Sequence, residues 1–149
     1  MTTETDLHEI VDRIWFSMLG TGVHPVPVEV QAAPDADWIA CLVEVTGQWR
    51  GAVRLACPRR LALRFACEMF ALAPEAADEH DAEDVVKELI NMIGGNVKAM
   101  LSEESELGLP RPVPADHPLE LPVWHDLGFE CDGQPIRVSI HAPAPVPAS

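Results

Sequence analysis

Asp84, Glu88, Asn91 and Gly95 are the residues whose types and spacing could do chemistry together. At about 100° per residue on a helix, all four fall within roughly 40° of one direction. Val86, Leu89, Ile90, Ile93, Val97, Met100 and Leu101 cluster within roughly 60–70° of the opposite direction, an apolar core stripe. Lys87 and Lys98 flank the polar ridge on one side. A carboxylate there can meet a cation, and an amide offers both an acceptor and donors. One reading of the ridge is a solvated face, with Glu88 paired to a nearby lysine for about 0.2–0.5 kcal/mol. The other is a surface on which a partner docks. Gly95 bears on the choice, because a glycine costs a helix interior about 0.5–1 kcal/mol relative to alanine. An exposed position without a packing demand favours Ala, Lys or Glu. A glycine one turn from Asn91 leaves a notch that another backbone could approach. Gly94 lies to the side, where close approach of a neighbouring element accounts for it. Asn96 leans toward the core edge and is expected to bond to a nearby loop.

The elements that must position this ridge can be read from the rest of the chain. The predicted first helix covers 6–19, with Leu7, Ile10, Val11, Ile14 and Met18 on one side and Gly20 and Gly22 ending it. Val26, Val28 and Val30 alternate with Pro27 and Glu29, as in a short edge strand. Residues 38–45 and 49–57 are apolar, roughly alternating runs about Thr46-Gly47-Gln48, a hairpin. A second helix is expected over 59–72, a loop over 73–80 and the ridge-bearing third helix over about 82–106. Residues 107–122 are broken by prolines and suit a strand with irregular flanks. A second hairpin follows, 124–131 and the alternating Ile136, Val138 and Ile140 about an Asp132-Gly133 turn. The expected fold is α+β in two layers, a mostly antiparallel sheet with two hairpins packed by three helices. The expected organisation is one domain over 1–141 and a disordered Ala/Pro-rich tail over 142–149.

Composition narrows the function classes. Ten Lys plus Arg against 24 Asp plus Glu give a formal net charge of −14. Affinity for nucleic acid comes largely from cationic side chains displacing counterions, so a nucleic-acid partner is not expected. No apolar run approaches the roughly 18 residues of a membrane span. The acidic, polar start is unlike a secretory signal, so a cytoplasmic protein is expected. Cys41, Cys57, Cys67 and Cys131 stand far apart in apolar contexts, as buried free thiols do. His80, Asp81 and Glu83, with Asp116, His117, His125 and Asp126, lack the i, i+4 histidine spacing of a helical zinc motif. No metal site and no bound cofactor are expected. The four tryptophans, Trp15, Trp38, Trp49 and Trp124, are expected in the core and at its margins.

The pattern Asp84-x-x-x-Glu88-x-x-Asn91-x-x-x-Gly95 is similar to the signature of the CheC/CheX/FliY chemotaxis phosphatases. The run ELINMIGGNVK resembles the CheX branch most. The likeness extends over most of the chain: the SMLG end of the first helix, the hairpin with Gly47 and Gly51, the motif helix and two late strands. The resemblance implies hydrolysis of the phosphoaspartate of a CheY-like receiver. Glu88 would engage a lysine beside the phosphoaspartate, and Asn91 would orient the hydrolytic water. Asp84, Lys87, Gly95 and Lys98 would help to bind the partner, and the Mg²⁺ would belong to the receiver. CheC-type members carry a second motif in the first helix. Its counterpart here is Glu9-Ile10-Val11-Asp12, with Asp where the family has Asn, so one site per chain is expected. CheX-like proteins pair through their sheets, so the resemblance also allows a homodimer.

The residue types suit such chemistry. Phosphoryl transfer passes through a loose transition state, so in-line placement of water matters more than strong proton abstraction. A carboxylate at position 91 would bring negative charge toward a negative group. Two rival readings remain at this point. A non-catalytic receiver-binding or scaffold protein would use the same ridge without needing the Asn91 side chain. A small-ligand or metal-binding module would require a concave pocket.

Overall fold

The computed structural model describes residues 4–102 and 104–143. In chain order the elements are α1 (Glu4–Leu19), β1 (His24–Val26), β2 (Trp38–Thr46), β3 (Gly51–Pro58), α2 (Arg59–Phe70), α3 (Glu79–Leu101), β4 (Glu106–Leu107), β5 (Arg111–Val113), β6 (Val123–Cys131) and β7 (Gln134–His141). The sheet runs β1-β6-β7-β3-β2-β4, with β5 also on β2, and every pairing among the described residues is antiparallel. This is the expected two-layer α+β arrangement of three helices and two hairpins. The β6–β7 turn places Asp132 at φ 51 and Gly133 at φ 76. Two consecutive positive φ values match a tight hairpin turn whose twist suits the flanking strands.

Strand periodicity decides which residues meet the helices. Ile39, Cys41, Val43 and Val45 of β2 point to the helix layer, as do Val53, Leu55 and Cys57 of β3. Leu127, Phe129 and Cys131 of β6 and Ile136, Val138 and Ile140 of β7 complete that face. Trp15 of α1 stands edge-on to Phe65 of α2, their ring centroids 5.8 Å apart. The other face of the sheet is covered in part by the chain after β5. There Ala115 packs with Trp38, Ala40 and Ala56. Arg54 donates to the His117 carbonyl at 3.1 Å, and the Ala142 N–H donates to the Pro122 carbonyl at 3.1 Å. Of the expected tail, Ala142 is buried, and residues 144–149 lie outside the described residues.

Several expected boundaries shift, each for a local reason. The strand expected through Val30 stops at Val26, and Val28–Val30 forms a single 3₁₀ turn closed by Val30 N–H on the Pro27 carbonyl. The Gln31 amide then donates to the Phe129 carbonyl of β6 at 2.8 Å. Helix α3 begins three residues earlier than expected because Asp78 and Asp81 form a reciprocal cap. Asp81 N–H bonds Asp78 Oδ1 at 3.0 Å, and Asp78 N–H bonds Asp81 Oδ2 at 3.1 Å. It ends at Leu101 rather than near 106, since Ser105 is drawn into the first hairpin. The Ser105 hydroxyl accepts from Trp49 N–H at 3.0 Å and lies 3.3 Å from the Trp49 carbonyl. Glu106 and Leu107 then pair with β2 instead of extending the helix.

Candidate functional site

Helix α3 is placed by its apolar stripe. Ala82, Val85, Val86, Leu89, Ile90, Ile93 and Val97 are buried against the sheet and the other helices. Met100, expected on this stripe, is instead 41% exposed, in the last turn of the helix. Gly94 is where the helix lies against β2, since a Cβ there would meet Val43 Cγ1 at 2.5 Å. That is the close approach expected of it. Asn96 does not reach a loop: its Nδ2 donates to the Met92 carbonyl, one turn back in the same helix, at 2.8 Å.

The opposite side carries the polar ridge, unbroken over 84–95 within one regular helix. Glu88 and Asn91 are exposed, and neither side chain has a hydrogen-bond or ion-pair partner among the described residues. Three residues of helix separate them by about 4.5 Å along the axis. Asp84 is half-buried and pairs with His80 Nε2 at 3.2 Å, an i, i+4 contact that the spacing alone could have shown. Lys87 reaches back to Glu83 Oε1 at 3.4 Å. Lys98 is half-buried on the same flank. Gly95 is not among the residues with positive φ, and a Cβ there would lie 3.9 Å from Leu107 Cδ2. The notch is therefore bordered by the protein's own Leu107, a neighbour brought in by β4 with no local sequence signal.

The helix thus presents one free carboxylate and one free amide side by side, with a paired carboxylate one turn before them and a glycine one turn after. Such an array can meet a cation and position water, and it forms a ridge rather than a pocket. The counterpart in α1 is put to a different use. Asp12 Oδ1 accepts from Val23 N–H at 3.0 Å, and a Cβ on Gly22 would come within 2.8 Å of that oxygen. Asp12 ties the chain as it leaves α1.

Other titratable groups are held in structural contacts away from the ridge. Arg137 clasps both carboxylate oxygens of Asp126, at 2.9 and 3.1 Å. Among the described residues no group of three His, Cys, Asp or Glu stands close enough to hold a metal ion. Cys41 lies beneath α3 with its Sγ 3.9 Å from the Glu83 carbonyl, and burial pushes its thiol up to about 12. Burial likewise raises Cys57 to about 12 and raises Cys131, so none of these three is an activated nucleophile. Cys67 is only half-buried. No helix among the described residues is long and apolar enough to cross a membrane.

The family model described as chemotaxis phosphatase CheX matches residues 39–120, more than half of the 149 residues. No curated protein matches the sequence. Among solved structures, the chain is similar to the chemotaxis protein CheX from Vibrio vulnificus, with 21% identity, a TM-score of 0.71 and coverage of 91% of this chain and 92% of that one. A CheC-like superfamily protein from Shewanella sp. PV-4 shares 19% identity at a TM-score of 0.70, over 95% of this chain and 98% of that one. The CheX–CheY–BeF₃–Mg²⁺ complex from Borrelia burgdorferi gives 16% identity and a TM-score of 0.69, over 91% and 94% of the two chains. These likenesses show the fold.

Proposed function

Since the chain belongs to the chemotaxis phosphatase CheX family, we propose that it accelerates hydrolysis of the phosphoaspartate of a CheY-like receiver, with the α3 ridge as its working surface. The carrying observation is that Glu88 and Asn91 stand exposed and adjacent on one helix face, without partners among the described residues. A solved relative, the CheX of Borrelia burgdorferi, is held in a complex with CheY, BeF₃ and Mg²⁺. That partner class supports the reading of the ridge as a receiver-docking surface.

The reaction divides between the two proteins. The receiver supplies the phosphoaspartate and its Mg²⁺, which neutralises charge on the phosphoryl oxygens. Glu88 pairs with a lysine of the receiver and so sets how far the ridge enters the pocket. Asn91 then places its amide at the phosphorus: the side-chain carbonyl accepts a proton of the attacking water, and the NH₂ tolerates the phosphoryl oxygens. Water oxygen bonds to phosphorus as the bond to the aspartate oxygen breaks, leaving a free carboxylate and inorganic phosphate. An in-line water suffices because the transition state is loose. Asp84, Lys87, Gly95 and Lys98 serve as docking contacts, Gly95 by adding no side chain at the turn after Asn91.

Phosphate release from the phosphorylated receivers of the same cell, with and without this chain, tests the reading. Acceleration with one receiver is expected. Binding of that receiver without acceleration would make the protein a scaffold and leave the Asn91 amide without a use.

A further inference from the structure

The ridge of α3 is bordered on one flank by the edge of the sheet. Leu107 of β4 lies over both glycines: a Cβ on Gly94 would be 3.2 Å from its Cδ1, and one on Gly95 would be 3.9 Å from its Cδ2. At about 100° per residue, the direction of Asn91 falls between those of Gly94 and Gly95. Leu107 therefore borders the turn that follows Asn91.

The chain then leaves the pairing in a defined way. Val45 of β2 faces Leu107, and Leu42 faces Arg111. Residues 43 and 44 of β2 are thus opposed by 108, 109 and 110, one residue in excess. Gly108 N–H still donates to the Glu44 carbonyl at 2.8 Å, which puts the irregularity at 109 and 110. An edge bulge of this kind re-aims a side chain. The side chain it re-aims is Leu109, 89% exposed and the most exposed large apolar residue among those described. Pro110 stiffens the backbone after it. A lone exposed leucine is ordinary. This one is fixed between two paired segments, two residues from the side chain that borders Gly95, so roughly 7 Å of chain separates them.

We propose that Leu109 is an affinity-determining contact for the receiver docked on the α3 ridge, buried on binding against an apolar patch that adjoins the phosphoaspartate pocket. This inference rests on the receiver-docking reading of the ridge. The ridge itself offers exposed polar groups, whose ion pairs in water contribute little to affinity. Affinity at interfaces concentrates in a few desolvated anchors, and Leu109 is an exposed apolar side chain two residues along the chain from the Leu107 that borders the ridge.

The test uses the full chain and the receiver whose phosphate release it accelerates. Binding to the beryllofluoride-activated form of that receiver is measured at low and high salt, alongside turnover of the phosphorylated form. Leu109→Ser is expected to raise Kd and KM about tenfold, a ratio equivalent to about 1.4 kcal/mol. Its kcat and melting temperature should stay at the wild-type values, and the deficit should be the same at both salt concentrations, unlike that of a charge contact. Leu109→Met should restore most of the affinity. Wild-type affinity in Leu109→Ser, with turnover still lost in Asn91→Ala, overturns this inference and leaves the phosphatase reading standing. A wild-type chain that neither binds nor dephosphorylates any receiver overturns both.

Discussion

The neighbouring glycines of α3 should respond to the same substitution with opposite signs. Gly94 faces β2, where an added methyl would meet Val43 Cγ1 at 2.5 Å and Leu107 Cδ1 at 3.2 Å. Val43 is itself fully buried, so the contact cannot relax toward solvent. Overpacking of this kind costs about 1–3 kcal/mol, which exceeds the helix-propensity gain of about 0.5–1 kcal/mol. Gly94→Ala should therefore destabilise. At Gly95 the added methyl stops 3.9 Å from Leu107 Cδ2, an ordinary contact, and the backbone has no positive φ. Gly95→Ala should stabilise by about 0.5–1 kcal/mol. For a chain of this length that is a rise in melting temperature of roughly 1–4 °C. Urea unfolding of the wild type and both variants gives the signs, and receiver dephosphorylation on the same samples gives the function. Gly95→Gln should fold as well as wild type yet lose activity, because its side chain would occupy the turn after Asn91. A Gly95→Ala protein less stable than wild type, or a stabilised Gly94→Ala, would refute the packing argument. A folded, fully active Gly95→Gln would remove the docking role of the notch.

Two further outcomes follow from the geometry. Glu88→Lys should weaken binding to the activated receiver more than Glu88→Ala does, and the difference should shrink at high salt because Glu88 is exposed; equal affinities at low salt would make Glu88 a solvated residue only. His141 is held neutral inside the fold: its Nδ1–H donates to the Leu121 carbonyl at 3.2 Å, and its Nε2 accepts from the Ser139 hydroxyl at 2.8 Å. Burial lowers its pKa below the ordinary histidine value of about 6.5, with the Leu121 carbonyl opposing, Arg54 adding to the depression and Asp126 opposing it. Because the unfolded chain binds this proton more readily, stability should be lost as pH falls through that value and kept above it. The melting temperature of wild type should drop more between pH 7 and pH 5 than that of His141→Gln, and parallel profiles would contradict the assignment.

What the sequence made legible was what is encoded at short range. The two hairpins, the apolar stripe of α3 and the outward direction of Asp84, Glu88, Asn91 and Gly95 all follow from periodicity and turn residues. Contacts made across the fold were not legible. Helix α3 ends at Leu101 because a serine hydroxyl binds a tryptophan backbone in a hairpin distant in sequence. The helical pattern by itself would have run on. Asp12 stands off the apolar stripe of α1, and only the fold shows that its oxygen meets a backbone N–H eleven positions later, across the bend at Gly20 to Gly22. Leu107 borders the ridge only because β4 pairs with β2. The Asp78–Asp81 cap was visible in principle, but two aspartates depart from the usual Ser/Thr and Glu of that motif.

The role proposed for the Asn91 amide is in the chemical step. It is tested most directly by single-turnover decay of the phosphorylated receiver under saturating amounts of wild type or Asn91→Ala, with receiver binding and melting temperature recorded in parallel. Asn91 is exposed and has no partner among the described residues, so its removal should leave stability within about ±0.5 kcal/mol and binding nearly unchanged. The expected result is a decay rate that falls to that of the receiver alone while the complex still forms. A variant that binds normally and dephosphorylates at the wild-type rate would contradict the account.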